Sequence, residues 1–286
     1  MKKTYVSCLL LLTLGILGCR ANHPPAPESR KPELTKKVEV FGLFIYATDS
    51  VADEKLLHAA RILAEYLDND ENGVPDNPLV IEAMLAQNTA ILMGQDEDEL
   101  RSLDRAGIPR GATQSLYDYE TRPGGAERGV FDAAVEEILH PITDVGYSTA
   151  YPEVFGTDPG SEVARIMDEA RGGHFGKVPE KYPESAWYTY YDETCLYECQ
   201  TTEYIYWALT SILGAQDFPG RLKQIQEEWK YNTREKVKTG DPKIYNLLTD
   251  PQYRFPTSLP NGSYAAKALT IQKHESIIGD MPASYL

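Results

Sequence analysis

From Tyr204 to Ala215 the chain carries no charged residue, and Glu203 stands immediately before that run. A stretch this apolar, rich in Tyr, Trp, Ile and Leu, predicts a helix enclosed by the rest of the protein, with Glu203 opening it. A buried carboxylate costs on the order of several kcal/mol unless it is paired, hydrogen-bonded or metal-bound. Any fold this chain adopts therefore has to supply Glu203 with a partner. The segment Glu136-Glu137-Ile138-Leu139-His140 offers one, either His140 itself or a metal ion held with it.

That second segment belongs to a predicted helix running from Phe131. Phe131, Ala134, Val135, Ile138, Ile142 and Val145 form an apolar stripe, with Glu136, Glu137, His140 and Asp144 on the opposite side. A merely solvated polar face accounts for the pattern too. Residues four apart project together, however, so Glu136 and His140 can share a metal while Glu137 beside them handles protons. Pro141 follows directly and removes a helical hydrogen bond.

Lys2 and Lys3, the apolar core Leu9 to Leu17, and Ile16-Leu17-Gly18-Cys19 read as an export signal of residues 1–18, too short to span a bilayer. The last four residues resemble the lipobox of bacterial lipoproteins, which implies cleavage before Cys19, lipidation of Cys19, and anchoring in a membrane. Arg20 in place of Asp favours the outer membrane. Residues 19–37 read as a Pro-, Lys- and Glu-rich tether, and 38–286 as a single domain. A formal net charge of -15 excludes a nucleic-acid partner and suits a cation-binding protein. Once Cys8 leaves with the signal and Cys19 is lipidated, Cys195 and Cys199 remain and are expected to form a disulfide; a two-thiolate metal site is the alternative.

Asp68, Asp70, Asn72, the Val74 carbonyl and Asp76 place oxygen atoms at alternate positions, and Gly73 permits the sharp turn that wraps such ligands around calcium. The loop, residues 68–77, resembles EF-hand and dockerin loops but has Leu79 where an EF-hand has its last Glu; Glu82 is a substitute. A polar turn without an ion is the alternative.

Strand and helix signals alternate early. A strand is expected from Val38 to Thr48, a helix over 56–67, a helix over 79–87, a strand over 89–93, a charged helix over 96–106 and a strand over 112–119. Helices and long loops follow. The order reads as α+β or α/β first and helical afterwards.

The combination resembles the zincin metallopeptidases, specifically the branch whose third ligand is a glutamate on a later helix. Their motif is His-Glu-x-x-His. The resemblance implies the α+β form, a small mixed sheet followed by a mainly helical C-terminal half. It also implies that His140 matches the second histidine, Glu137 the general base, and Glu203 the third ligand. Glu136 stands where the first histidine belongs. A Glu/His/Glu set is harder than zinc usually takes and suits manganese, iron or calcium, or no metal at all; zinc, implied by the resemblance, or manganese is the expected transition metal, with calcium structural in the Asp68 loop. The implied substrate is a peptide. Tyr188, Tyr190, Tyr191, Tyr204 and Tyr206 include candidates for an oxyanion donor, and His174 is a candidate extra ligand. Tyr-Pro-Glu-Val-Phe-Gly at 151–156 and Ala-Trp-Tyr-Thr-Tyr at 186–190, with the Asp-rich loop and Glu-Glu-x-x-His, are also similar to an uncharacterised family of exported proteins. The competing reading is a non-catalytic, calcium-stabilised surface-binding protein on a zincin scaffold that has lost its active site.

Overall fold

The computed structural model describes residues 31–103 and 110–274, which lie in one compact unit. The signal segment, Cys19, most of the tether and the end of the charged helix expected over 96–106 lie outside the described residues.

The first strand signal resolves into a hairpin, because Phe41 and Gly42 both take positive φ (51° and 88°), which suits a two-residue turn between antiparallel strands. Strand β1 is Leu34–Val40 and β2 is Leu43–Thr48. β1 thus absorbs the last four residues assigned to the tether. Helix α1 (Asp53–Leu67) and helix α2 (Pro78–Ala86) carry the chain across to β3 (Ala90–Gly94), which pairs parallel with β2. Helix α3 (Glu97–Ser102) leads toward β4 (Thr113–Tyr117), parallel to β3. Strand β5 (Gln272–Lys273) returns antiparallel to β1, giving the order β4-β3-β2-β1-β5.

Alternation along the strands divides the core. Val38, Val40, Leu43, Ile45, Ile91, Met93 and Leu116 face the main core with α1 and the helical half. Leu34, Tyr46, Ala90 and Leu92 face a smaller cluster closed by Leu100 and Leu103. The domain is α+β, with a small five-stranded mixed sheet.

The continuous helix expected from Phe131 is broken. It starts as α4 (Ala134–Glu137), continues as the single turn α5 (Leu139–Pro141), and widens into a π-turn over Ile142–Tyr147. Pro141 has no N–H to give the preceding turn, and Thr143 Oγ1 donates back to the carbonyls of Leu139 and His140 at 3.2 and 3.1 Å. The wide turn packs so closely on α2 that a Cβ on Gly146 would lie 2.7 Å from Val80 Cγ1. Val145, placed on the apolar stripe by its spacing, is only half-buried after this widening.

Short helices α6 (Ser148–Ala150) and α7 (Pro152–Phe155) lead to α8 (Glu162–Arg171). The central helix of the C-terminal half is α9 (Tyr197–Leu213), buried along most of its length. Helices α10 (Arg221–Ile225), α11 (Arg234–Gly240) and α12 (Pro242–Leu248) complete the unit. Tyr204 Oη and Trp187 Nε1 both donate to Asp241 Oδ2, which ties α9 and the 186–190 segment to the start of α12.

Candidate metal centre

Asp132 fixes the start of α4. Its Oδ1 accepts the amides of Arg122 and Ala134 at 2.8 and 3.2 Å, and its Oδ2 meets His58 Nε2 at 2.6 Å. Tyr66 Oη donates to the Val135 carbonyl at 2.7 Å, locking the first turn against α1. From this anchored turn Glu136 points inward and Glu137 toward β4, where Gln114 Nε2 donates to its Oε2 at 2.5 Å.

Helix α9 supplies the other side. Glu203 is the seventh residue of α9 rather than its opening residue, because the helix begins at Tyr197. The Cys195–Cys199 disulfide, with a Cα–Cα distance of 5.2 Å, pins the irregular entry to that first turn. Starting two turns earlier carries Glu203 fully into the interior, where it is 8% exposed.

Glu136, His140 and Glu203 each present one ligand atom, and the three atoms lie within 4.8 Å of one another. His140 Nδ1 is 3.6 Å from Glu137 Oε2, and its Nε2 is 3.6 Å from Glu203 Oε2. Both separations exceed a hydrogen bond, and the buried Nε2 has no hydrogen-bond partner. The ring is held edge-on to Tyr206, centroids 5.7 Å apart. Burial, and then the charge of Glu136, raises the Tyr206 phenol well above its usual range. Burial, and then the charge of Glu203, does the same to Tyr190.

The electrostatics are those of crowded anions. Burial first, and then the charge of Glu203, pushes the Glu136 carboxyl up to about 8. Burial pulls the His140 imidazole down, but Glu203 and Glu137 reverse that and hold it above its usual value. Burial and Glu203 also raise Glu228. A divalent cation among these groups would neutralise two carboxylates and accept the idle imidazole nitrogen.

A cavity of about 390 Å³ opens beside the cluster, and Glu137, His140, Asp144, Thr202 and Glu203 are on its wall. Glu136 is not on that wall. The two adjacent carboxylates, both half-buried, thus face different ways, one into the cluster and one into the space a substrate would enter.

The remaining candidates disperse. Tyr188 Oη donates to the Gln200 carbonyl at 2.7 Å, Tyr204 is spent on Asp241, and Tyr191 is exposed. His174 is bound to Asp168 at 2.8 Å. Sequence spacing does not single out Gln114, Glu228 or Thr202: the inward register of β4 hints at Gln114, Glu228 is in a turn without periodicity, and Thr202 on α9 is one of several buried threonines.

Helices α1 and α2 flank the Asp68 loop, and oxygens of Asp68, Asp70 and Asp76 also lie within 4.8 Å of one another. Each carboxylate is already gripped from within the protein: Asp68 by Asn72 N, Gly73 N and Tyr264 Oη, Asp70 by Asn72, Asp76 by Asn69 N. Asn72 Oδ1 accepts Val74 N at 2.9 Å, and Val74 and Leu79 are exposed. Glu82 is exposed on α2 and is not part of the group.

No family model, curated protein or solved structure matches this chain.

Proposed function

We propose that this chain is an exported, lipid-anchored metal-dependent hydrolase of zincin type, in which Glu136, His140 and Glu203 hold a zinc or manganese ion. One observation carries the reading: a buried imidazole nitrogen without a hydrogen bond, set among carboxylates whose ligand atoms are within 4.8 Å. An ion held there would supply Lewis acidity toward a water and a peptide-type carbonyl. Glu137, on the cavity wall and oriented by Gln114, takes the proton from the attacking water and passes it to the leaving amine. Tyr206 on α9 and Tyr190 in the 186–190 segment stand close enough to the ligand carboxylates to feel their charge, and help to enclose them. The lipid anchor at Cys19 places this chemistry on the outer membrane.

We assign the Asp68 loop to a structural calcium ion, with the Val74 carbonyl, Asn72 and water completing the oxygen set. Its carboxylates are preorganised without the ion, so calcium adds stability rather than creating the loop.

Glu137→Gln keeps the size and the bond network of the cavity wall but removes the base. Hydrolysis of a quenched peptide library is expected to fall by at least ~100-fold, in line with general-base contributions, with bound metal unchanged. A Glu137→Gln protein with full activity would remove Glu137 from the mechanism. A wild type that holds a transition metal yet cleaves nothing would leave the competing reading, a surface-binding protein on a retired scaffold.

A further inference from the structure

A second cavity, of about 620 Å³, lies on the opposite chemical footing from the first. Its wall carries Lys55, Arg61, Arg122 and Arg128 against one carboxylate, Glu54, in a chain whose net charge is -15. Lys55, His58 and Arg61 come from one face of α1, at spacings that bring them into line. Arg122 and Arg128 come from the segment before α4, and Asn261 and Gly262 from the C-terminal loop.

The three walls are fixed by three carboxylates, each consumed in doing so. Asp118 takes Lys55 Nζ at 2.7 Å and the Ala52 amide at 2.9 Å. Asp132 takes His58, the Arg122 amide and the Ala134 amide. Glu65 accepts the amides of Asn261, Gly262 and Ser263 at 2.6, 2.9 and 2.7 Å. The loop then lies so close to α1 that a Cβ on Gly262, where φ is +80°, would sit 2.1 Å from His58 Nδ1. Glu54 is the one acid on the wall outside these contacts, and it stands against three arginines. Among the described residues, the side chains of Arg61 and Arg122 make no hydrogen bond or ion pair, and Arg128 spends one nitrogen on the Pro123 carbonyl at 3.0 Å.

The geometry points to a binding site for a phosphate monoester, distinct from the Glu136/His140/Glu203 cluster. Guanidinium groups present paired donors that match phosphate oxygens, and rigid walls reduce the ordering cost of binding. A volume of about 620 Å³ accommodates a sugar-sized body behind the phosphate. The same chemistry is presented by a soluble phosphate ester and by a phosphomonoester lipid headgroup.

The test uses the full chain with Cys19→Ser, which keeps lipid off it. Glucose 6-phosphate binding is titrated calorimetrically against glucose at fixed ionic strength. In parallel, the protein is co-sedimented with phosphatidylcholine vesicles with and without phosphatidic acid. Arg61→Gln/Arg122→Gln is compared with Lys177→Gln/Lys267→Gln, which removes the same charge from exposed positions elsewhere. Saturable glucose 6-phosphate binding, at least tenfold weaker in the arginine pair and unchanged in the lysine pair, establishes a site for the soluble ester. The same pattern on phosphatidic acid vesicles alone establishes the headgroup. No binding to either probe, or equal losses in both double variants, overturns the proposal.

Discussion

At the residue scale, the site is defined by what His140 lacks. A buried ring nitrogen normally finds a donor or acceptor, and Nε2 of His140 has neither, although two acidic side chains lie 3.6 Å from its ring nitrogens. The adjacent acids, equally half-buried, are told apart by direction, which no spacing rule reveals: Glu136 faces His140 and Glu203, and Glu137 meets Gln114 on the cavity wall. Asp241 shows the opposite condition, a buried carboxylate whose acceptors are all used, by Tyr204, Trp187 and the Ile244 amide. Asp241→Asn turns one acceptor into a donor, which, whichever way the amide is turned, faces at least one of these donors. Urea unfolding is expected to register a loss of about 1–3 kcal/mol, the cost of unsatisfied buried groups, with metal content intact.

At the element scale, the break at Pro141 is the least regular feature near the cluster, and π-turns of this kind are frequent at functional sites. Replacing Pro141 by Ala restores an N–H to the turn and lets α4 and α5 run on as one helix, which rotates His140 away from Glu203. Metal occupancy after dialysis is therefore expected to drop at least tenfold, while the melting temperature holds or rises; a Pro141→Ala protein that retains its metal would show the break to be incidental. This is where sequence reading reached furthest and then stopped. The alternating strands, the paired cysteines and the Asp-rich loop between two helices were legible because turn residues and periodicity are local. The hairpin at Phe41-Gly42 was missed because positive φ at a phenylalanine has no compositional signal. The charge-free run after Glu203 makes it look like the opening residue, with the cysteine pair in a turn before it; the helix instead starts at Tyr197 and takes Cys199 into its first turn.

At the scale of the whole molecule, strongly acidic character is not evenly spent. Carboxylates concentrate in the Asp68 loop and around His140, while the cavity beside α1 concentrates arginine. Under the proposed assignment, calcium binding to the Asp68 loop would act on global stability by mass action: at a hundredfold excess over Kd the expected gain is about 2.7 kcal/mol, read as an upward shift in the melting curve. Asp70→Ala is expected to abolish that shift and leave the transition metal in place, since the two clusters share no residue. A calcium response that survives Asp70→Ala would move the ion elsewhere. Among the described residues no helix is long and apolar enough to cross a membrane.

The central claim, that Glu136, His140 and Glu203 form a metal site, is tested most directly by elemental analysis of tag-free protein beside a His140→Ala/Glu203→Ala double variant. The account expects close to one zinc or manganese per chain in the wild type and essentially none in the variant, with calcium equal in both. Calcium alone, unchanged by the substitutions, would contradict it.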